Sequence, residues 1–172
     1  MAKFENAFLK TLTFEGVDFD SPHDPGGRTR YGITQAVAKR HGLDVRTITK
    51  DDAKKIYKKD YWTPLNLDGI AQEIADTVYD MGVNAGVTVG AVCFQRALNS
   101  LRQKLATEEK IVDLFSEIKV DGQIGPETLE AYKKIAKKDF SILKTAINGF
   151  RFEYYRKIKK PFFNRSWFRR LI

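Results

Sequence analysis

The chain has 172 residues and a single cysteine, Cys93, so no internal disulfide framework holds it together. It has only two histidines, His23 and His41, and neither HExxH nor paired CxxC, so the spacings of a zinc centre are missing. There is no GxxxxGK[ST] phosphate loop and no GxSxG nucleophile elbow. Neither histidine stands in a pattern that would make Cys93 a nucleophile, so Cys93 reads as a core residue. No metal and no cofactor are expected. No apolar run approaches the ~18 residues of a membrane span, which excludes stable membrane insertion through a helix. The first residues, MAKFENAFLK, place Glu5 and Asn6 where a secretion signal would be apolar. The expectation is synthesis in the cytoplasm with no evident signal peptide. Internal repeats and low-complexity linkers are also missing.

What is present suits a soluble globular protein: 42% hydrophobic and 30% charged residues. The length allows one compact domain or two small ones that share a substantial core. The net charge of +8 is uneven: residues 133–172 hold 13 basic and 2 acidic side chains, and residues 1–132 hold 17 and 20. A C-terminal region this basic is either a solubilising helix face or a surface attracted to a polyanion. Candidate polyanions are nucleic acid, anionic lipid, and the acidic peptides or teichoic polymers of a cell wall.

The densest stretch is Glu15 to Thr34, EGVDFDSPHDPGGRTRYGIT. Before it, Phe4, Phe8 and Leu12 recur at four-residue spacing, which predicts an amphipathic helix ending at or near Glu15. The negative end of a helix and the neighbouring Phe14 both disfavour a carboxylate, so both raise its pKa and suit Glu15 to general-acid work. Taken by itself, the segment fits an ordinary surface glutamate equally well. Asp24-Pro25-Gly26-Gly27 is a turn, because Pro fixes φ, glycine tolerates positive φ and Asp can bond nearby amides. Residues 28–33 then alternate like a short β-ribbon, and Thr34 is an N-cap candidate for the next helix. Such a hairpin would set Asp24 and Thr29 towards Glu15. Two carboxyl groups around one small space are the minimum equipment for glycoside hydrolysis.

The pattern E-G-x(7)-D-P-G-G-x-T-x-x-G-I-T resembles the N-acetylmuramidases of glycoside hydrolase family 108, found among phage endolysins and bacterial secretion-associated muramidases. The resemblance spans nearly the whole chain. It departs at Val17, where the family has a second glycine, and at Ser21, where it has an acid. It implies that Glu15 is the catalytic acid and that Asp24 and Thr29 correspond to the family's Asp and Thr. It also implies a mainly α, lysozyme-like fold with a small β-ribbon at residues 17–33 and a helical C-terminal half. The implied reaction is hydrolysis of the β-1,4 bond between N-acetylmuramic acid and N-acetylglucosamine. Inversion requires ~6.5–9.5 Å between the two carboxyl groups and retention ~5–5.5 Å, and a nine-residue interval fixes neither.

Further along, a helix is expected from Thr34 to about Arg40 with Gly42 as its C-cap, and Thr49 opens another with Asp52 in a capping box. That second helix ends in Tyr61-Trp62 before Pro64, an aromatic pair that either stacks on sugar rings or closes a core. A long helical region is expected from about Ile70 through Leu101. In it Asp80, Asn84 and Gly86 match the family's D-x-x-x-N-x-G, and the two polar residues either line a cleft or tie helices together. Gly82, Gly86 and Gly90 would let another helix come close. Residues 102–117 read as a charged connection with a short helical piece. Val120-Asp121-Gly122-Gln123-Ile124-Gly125-Pro126 is a tight entry to a helix with Pro at N1, and DGxIGPxT resembles the helical peptidoglycan-binding modules of wall hydrolases. The last helix, about Phe140–Ile158, is expected to bury Ile142, Leu143, Ala146, Phe150 and Tyr154, with the FFNRSWFRRLI tail packed back and its arginines outward.

The expected organisation is a catalytic region, residues 1–88, and a peptidoglycan-binding-like region, residues 89–172, packed as one monomer. Tyr31, Tyr61, Trp62 and Asn84 are the candidate substrate contacts, and peptidoglycan glycan strands the expected partner, with no specific nucleic acid. Without a signal the enzyme would meet the wall only after release through a membrane pore or by a dedicated route. Two other classes remain: a non-catalytic wall-binding or secretion-assisting protein of the same fold, and a nucleic-acid or membrane binder driven by the basic C-terminal region.

Overall fold

A computed structural model describes residues 1–15, 18–19, 28–107, 110–135, 137–158 and 164–171. It is mainly helical and divides into two compact units, Lys3–Pro64 and Met1–Ala2 with Leu65–Ile172.

In the first unit, helix α1 (Phe4–Glu15) buries Phe4, Ala7, Phe8 and Thr11, the i, i+3, i+4, i+7 stripe of an amphipathic helix. The Phe4 ring lies 5.7 Å from Phe8 and 5.6 Å from Trp62, and Phe8 lies 5.6 Å from Tyr57. Three two-residue strands follow: β1 (Asp18–Phe19), β2 (Thr29–Arg30) and β3 (Ile33–Thr34), antiparallel in the order β1-β2-β3. The β2–β3 turn is Tyr31-Gly32, with φ of 52° and 74°, and Arg30 pairs with Ile33. Positive φ at both central residues is what a two-residue type I′ hairpin demands, and Gly32 meets it without steric cost.

Helix α2 (Gln35–Arg40) begins as expected, with the Thr34 side chain accepting from Val37 N at 3.2 Å. Gly42, at φ 72°, turns the chain after it. Helix α3 (Lys50–Tyr57) opens with a complete capping box between Thr49 and Asp52. It does not stay α-helical to Asp60: residues Lys58–Trp62 continue as one π-helical segment.

In the second unit the long helical region is two helices, α4 (Gln72–Ala85) and α5 (Val87–Ser100). The break is at Gly86, whose φ of 102° no continuing helix accommodates. The pair packs backbone to backbone: a Cβ on Gly90 would sit 2.9 Å from Val78 O and 3.0 Å from Gly82 N. The glycine spacing therefore serves a hairpin, with Gly86 as its corner. Residues 102–117 differ from expectation as well, forming a hairpin of β4 (Gln103–Thr107) and β5 (Lys110–Asp113). Cross-strand pairing outweighs the weak helical signal of a short charged segment.

Helix α6 (Pro126–Lys134) has Pro126 at its start, as its sequence dictates. The loop before it is clamped by buried Gln95, whose amide donates to Asp121 Oδ1 (2.9 Å), Gln123 O (3.0 Å) and Thr128 Oγ1 (3.2 Å) and accepts from Gly122 N (2.9 Å). Helix α7 (Phe140–Lys157) buries Leu143, Ile147, Arg151 and Tyr155, while Ile142 is exposed and Ala146, Phe150 and Tyr154 are half-buried. Its inner face is turned by one residue from the expected one because it carries an arginine. Helix α8 (Asn164–Arg169) returns onto α7, with Trp167 stacked 5.5 Å from Tyr155 and Phe168 5.3 Å from Phe152.

Candidate functional site

Glu15 is the last residue of α1, whose final turn contains no basic side chain to offset the negative end of the helix. Three residues later the chain enters β1, which pairs Phe19 with Thr29 on β2, and Thr29 pairs on its other side with Thr34. Thr29 is thus half-buried on the central strand of the ribbon. Asp24, Pro25, Gly26 and Gly27 lie outside the described residues, as does the side chain of Glu15.

Tyr31 forms the tip of the β2–β3 turn. Its carbonyl accepts from the Tyr57 hydroxyl at 3.1 Å, and the Arg30 guanidinium stands 5.7 Å from its ring centroid. Tyr61 is half-buried, 5.6 Å from the Tyr57 ring. Trp62 is 1% exposed, so its ring presents no free face to a sugar. This corrects Trp62 as a substrate contact: from the π-helical segment it packs into the core against Phe4, while Tyr61 stays half-buried. Asn84 belongs to the second unit, on α4, where its amide donates to the Tyr155 hydroxyl at 3.3 Å.

Two clusters escape any reading of sequence spacing. In the first unit His41 Nε2 and Asp60 Oδ2 meet at 2.8 Å, nineteen positions apart. They line an open depression of about 550 Å³ with Arg40, Lys59, Tyr61 and Pro64. In the second unit, Asp80 accepts from the guanidinium of buried Arg151 and, at 2.8 Å, from Arg170. The tail arginine expected to face outward is therefore turned in. The Tyr155 hydroxyl is held above its ordinary pKa, chiefly by burial. Cys93 is a buried core thiol, pushed up to about 11 by that burial. Among the described residues no group of three His, Cys, Asp or Glu side chains could hold a metal ion, and no helix is long and apolar enough to cross a membrane.

Residues 8–86 match the model of the Glycosyl hydrolase 108 family, and residues 89–172 match that of the Predicted Peptidoglycan domain. No curated protein matches the chain. The solved structure of Brucella abortus SagA is similar to it, with a TM-score of 0.76 and 24% identity, covering 98% of this chain and 88% of that one. At that identity the likeness speaks for the fold.

Proposed function

Through residues 8–86 the chain belongs to the glycosyl hydrolase 108 family, with a peptidoglycan domain after it, and from that premise we propose that it is a peptidoglycan hydrolase of the N-acetylmuramidase type. The bond cleaved would be the β-1,4 link between N-acetylmuramic acid and N-acetylglucosamine. Glu15 would protonate the glycosidic oxygen. Asp24, with Thr29, would position water or steady the oxocarbenium-like transition state. The observation that carries this reading is the placement of Glu15 at the C-terminus of α1, whose last turn has no basic side chain, immediately before the ribbon that holds Thr29. That position favours the protonated carboxyl a general acid needs.

The proposed division of labour is catalysis by residues 1–88 and wall contact by residues 89–172, in a monomer. The enzyme would reach its substrate through a membrane pore or a dedicated export route. Lytic use by a phage or prophage belongs to the same proposal.

The test is turbidity loss of purified peptidoglycan with wild type and Glu15→Gln, combined with mass analysis of the products. The substitution keeps size but removes the transferable proton, so the rate should fall by at least ~10²-fold. Products ending in reducing muramic acid identify the bond. Equal clearing by both proteins rejects Glu15 as the acid. Wall binding without turnover in either would favour the non-catalytic wall-binding alternative.

A further inference from the structure

The depression beside α2 and the π-helical segment combines features that ordinary surface does not. Its residues come from two places: Arg40 and His41 at the C-terminal end of α2, and Lys59, Asp60 and Tyr61 from residues Lys58–Trp62. A π-helical segment widens the turn and re-aims side chains, and such segments are frequent at functional sites. Here half-buried Tyr61 lines the depression while Trp62 lies in the core.

The chemistry inside is specific. His41 Nε2 meets Asp60 Oδ2 at 2.8 Å, so the depression holds a carboxylate that can accept from a ligand hydroxyl. Arg40 and Lys59 are both exposed, and neither makes an ion pair among the described residues. Two exposed cations, an acceptor and an aromatic ring at one depression suit a sugar that carries a carboxylate: the ring takes the apolar face and the cations take the charge.

The position suits a glycan as well. Thr34 lies opposite Thr29 in the ribbon and caps α2, and Arg40 ends that helix. Six helical residues carry the chain ~9 Å from Thr34, the cross-strand neighbour of Thr29, to the depression. A glycan strand lying over the ribbon would reach it with a neighbouring sugar.

We propose that the depression formed by Arg40, His41, Lys59, Asp60 and Tyr61 is a subsite for a carboxylate-bearing sugar unit of the glycan, one that lies outside the bond-cleaving residues. This rests on the peptidoglycan-hydrolase reading for the identity of the glycan: the carboxylates are those of the lactyl group or its attached peptide.

The experiment compares native peptidoglycan with peptidoglycan whose carboxyl groups have been amidated, for wild type, the Arg40→Gln/Lys59→Gln double variant and Arg40→Lys. Hydrolysis and co-sedimentation with the wall are measured separately. Wild type should favour the native wall roughly tenfold in kcat/KM, the double variant should lose that preference, and Arg40→Lys should keep most of it. If wild type hydrolyses and sediments with both walls equally well, the subsite is refuted while the hydrolase reading stands. If wild type cleaves neither wall but sediments preferentially with the native one, and the double variant does not, the subsite stands and the hydrolase reading fails. Failure to cleave or to sediment with either removes both.

Discussion

Asp80 on α4 takes the guanidinium of Arg151 on α7 with one carboxylate oxygen and that of Arg170 with the other. The Arg151 side chain is 2% exposed and also donates to Asn148, whose amide in turn donates to the carbonyl of Leu171. One carboxylate thus compensates two enclosed cations and ties the final residues to the helical core. Removing it leaves the buried Arg151 guanidinium without its carboxylate, a change that costs ~3–5 kcal/mol in comparable buried pairs. Asp80→Asn should therefore lower stability by about 3 kcal/mol in urea denaturation. Arg151→Met should cost less, because Arg170 still satisfies Asp80. Equal midpoints for Asp80→Asn and wild type would show that the cluster holds nothing together.

The α4–α5 hairpin should be intolerant of a methyl group at Gly90. The added Cβ would meet backbone atoms of Val78 and Gly82, and backbone cannot swing aside as the end of a side chain does. Gly90→Ala should cost ~1–3 kcal/mol through helix separation, although alanine is the better helix former. Gly149, in α7 with open space around its Cβ position, is the control, and Gly149→Ala should be neutral or stabilising by thermal melt.

Gln95 predicts a defect confined to one loop. Its amide satisfies Asp121, Gln123, Gly122 and Thr128, so Gln95→Leu keeps the volume but strands the Gly122 amide. A buried donor left without a partner costs ~1–3 kcal/mol. Hydrogen exchange should accelerate at residues 121–125 and change little in α1. Unchanged exchange at the Gly122 amide would remove the clamp from the account.

Asp52 predicts an acid limb for α3. Its carboxylate accepts from the Thr49 backbone amide at 2.9 Å and from the Thr49 hydroxyl at 2.7 Å, and these bonds hold its pKa below the ordinary 3.8. A depressed folded pKa adds stability that is fully present above the unfolded value and is lost as pH falls through the folded one. The contribution is therefore intact at neutral pH, begins to fall below about pH 4 and is gone once the pH has passed the folded midpoint. An NMR titration should place the Asp52 midpoint below 3.8, and Thr49→Ala should move it back up while costing ~1 kcal/mol of stability. A midpoint at the ordinary value in wild type would mean the capping box does not persist in solution.

Much of the molecule was legible from neighbouring residues alone. Thr34 and Thr49 cap helices because a hydroxyl can reach an amide three residues on, and Pro126 starts one because its ring supplies the helical φ and lacks only an amide that would go unused. The end of α1 at Glu15 and the ribbon bearing Thr29 were readable for the same reason: a short motif of turn formers next to a helical period specifies them within twenty residues.

What the tertiary structure alone decided are pairings between residues far apart in the chain. Asp80 and Arg151 are 71 positions apart, and a period assigns an arginine to the solvent face unless its partner is known, because a charge is buried only when paired. That one partner turns the inner face of α7 by a residue and brings Arg170 inward. The split of one helical region at Gly86, the withdrawal of Trp62 into the core, and the meeting of His41 with Asp60 have the same origin. Local preferences propose elements and their ends. Which faces meet is settled by burial and charge compensation across the fold, and those leave no period in the sequence.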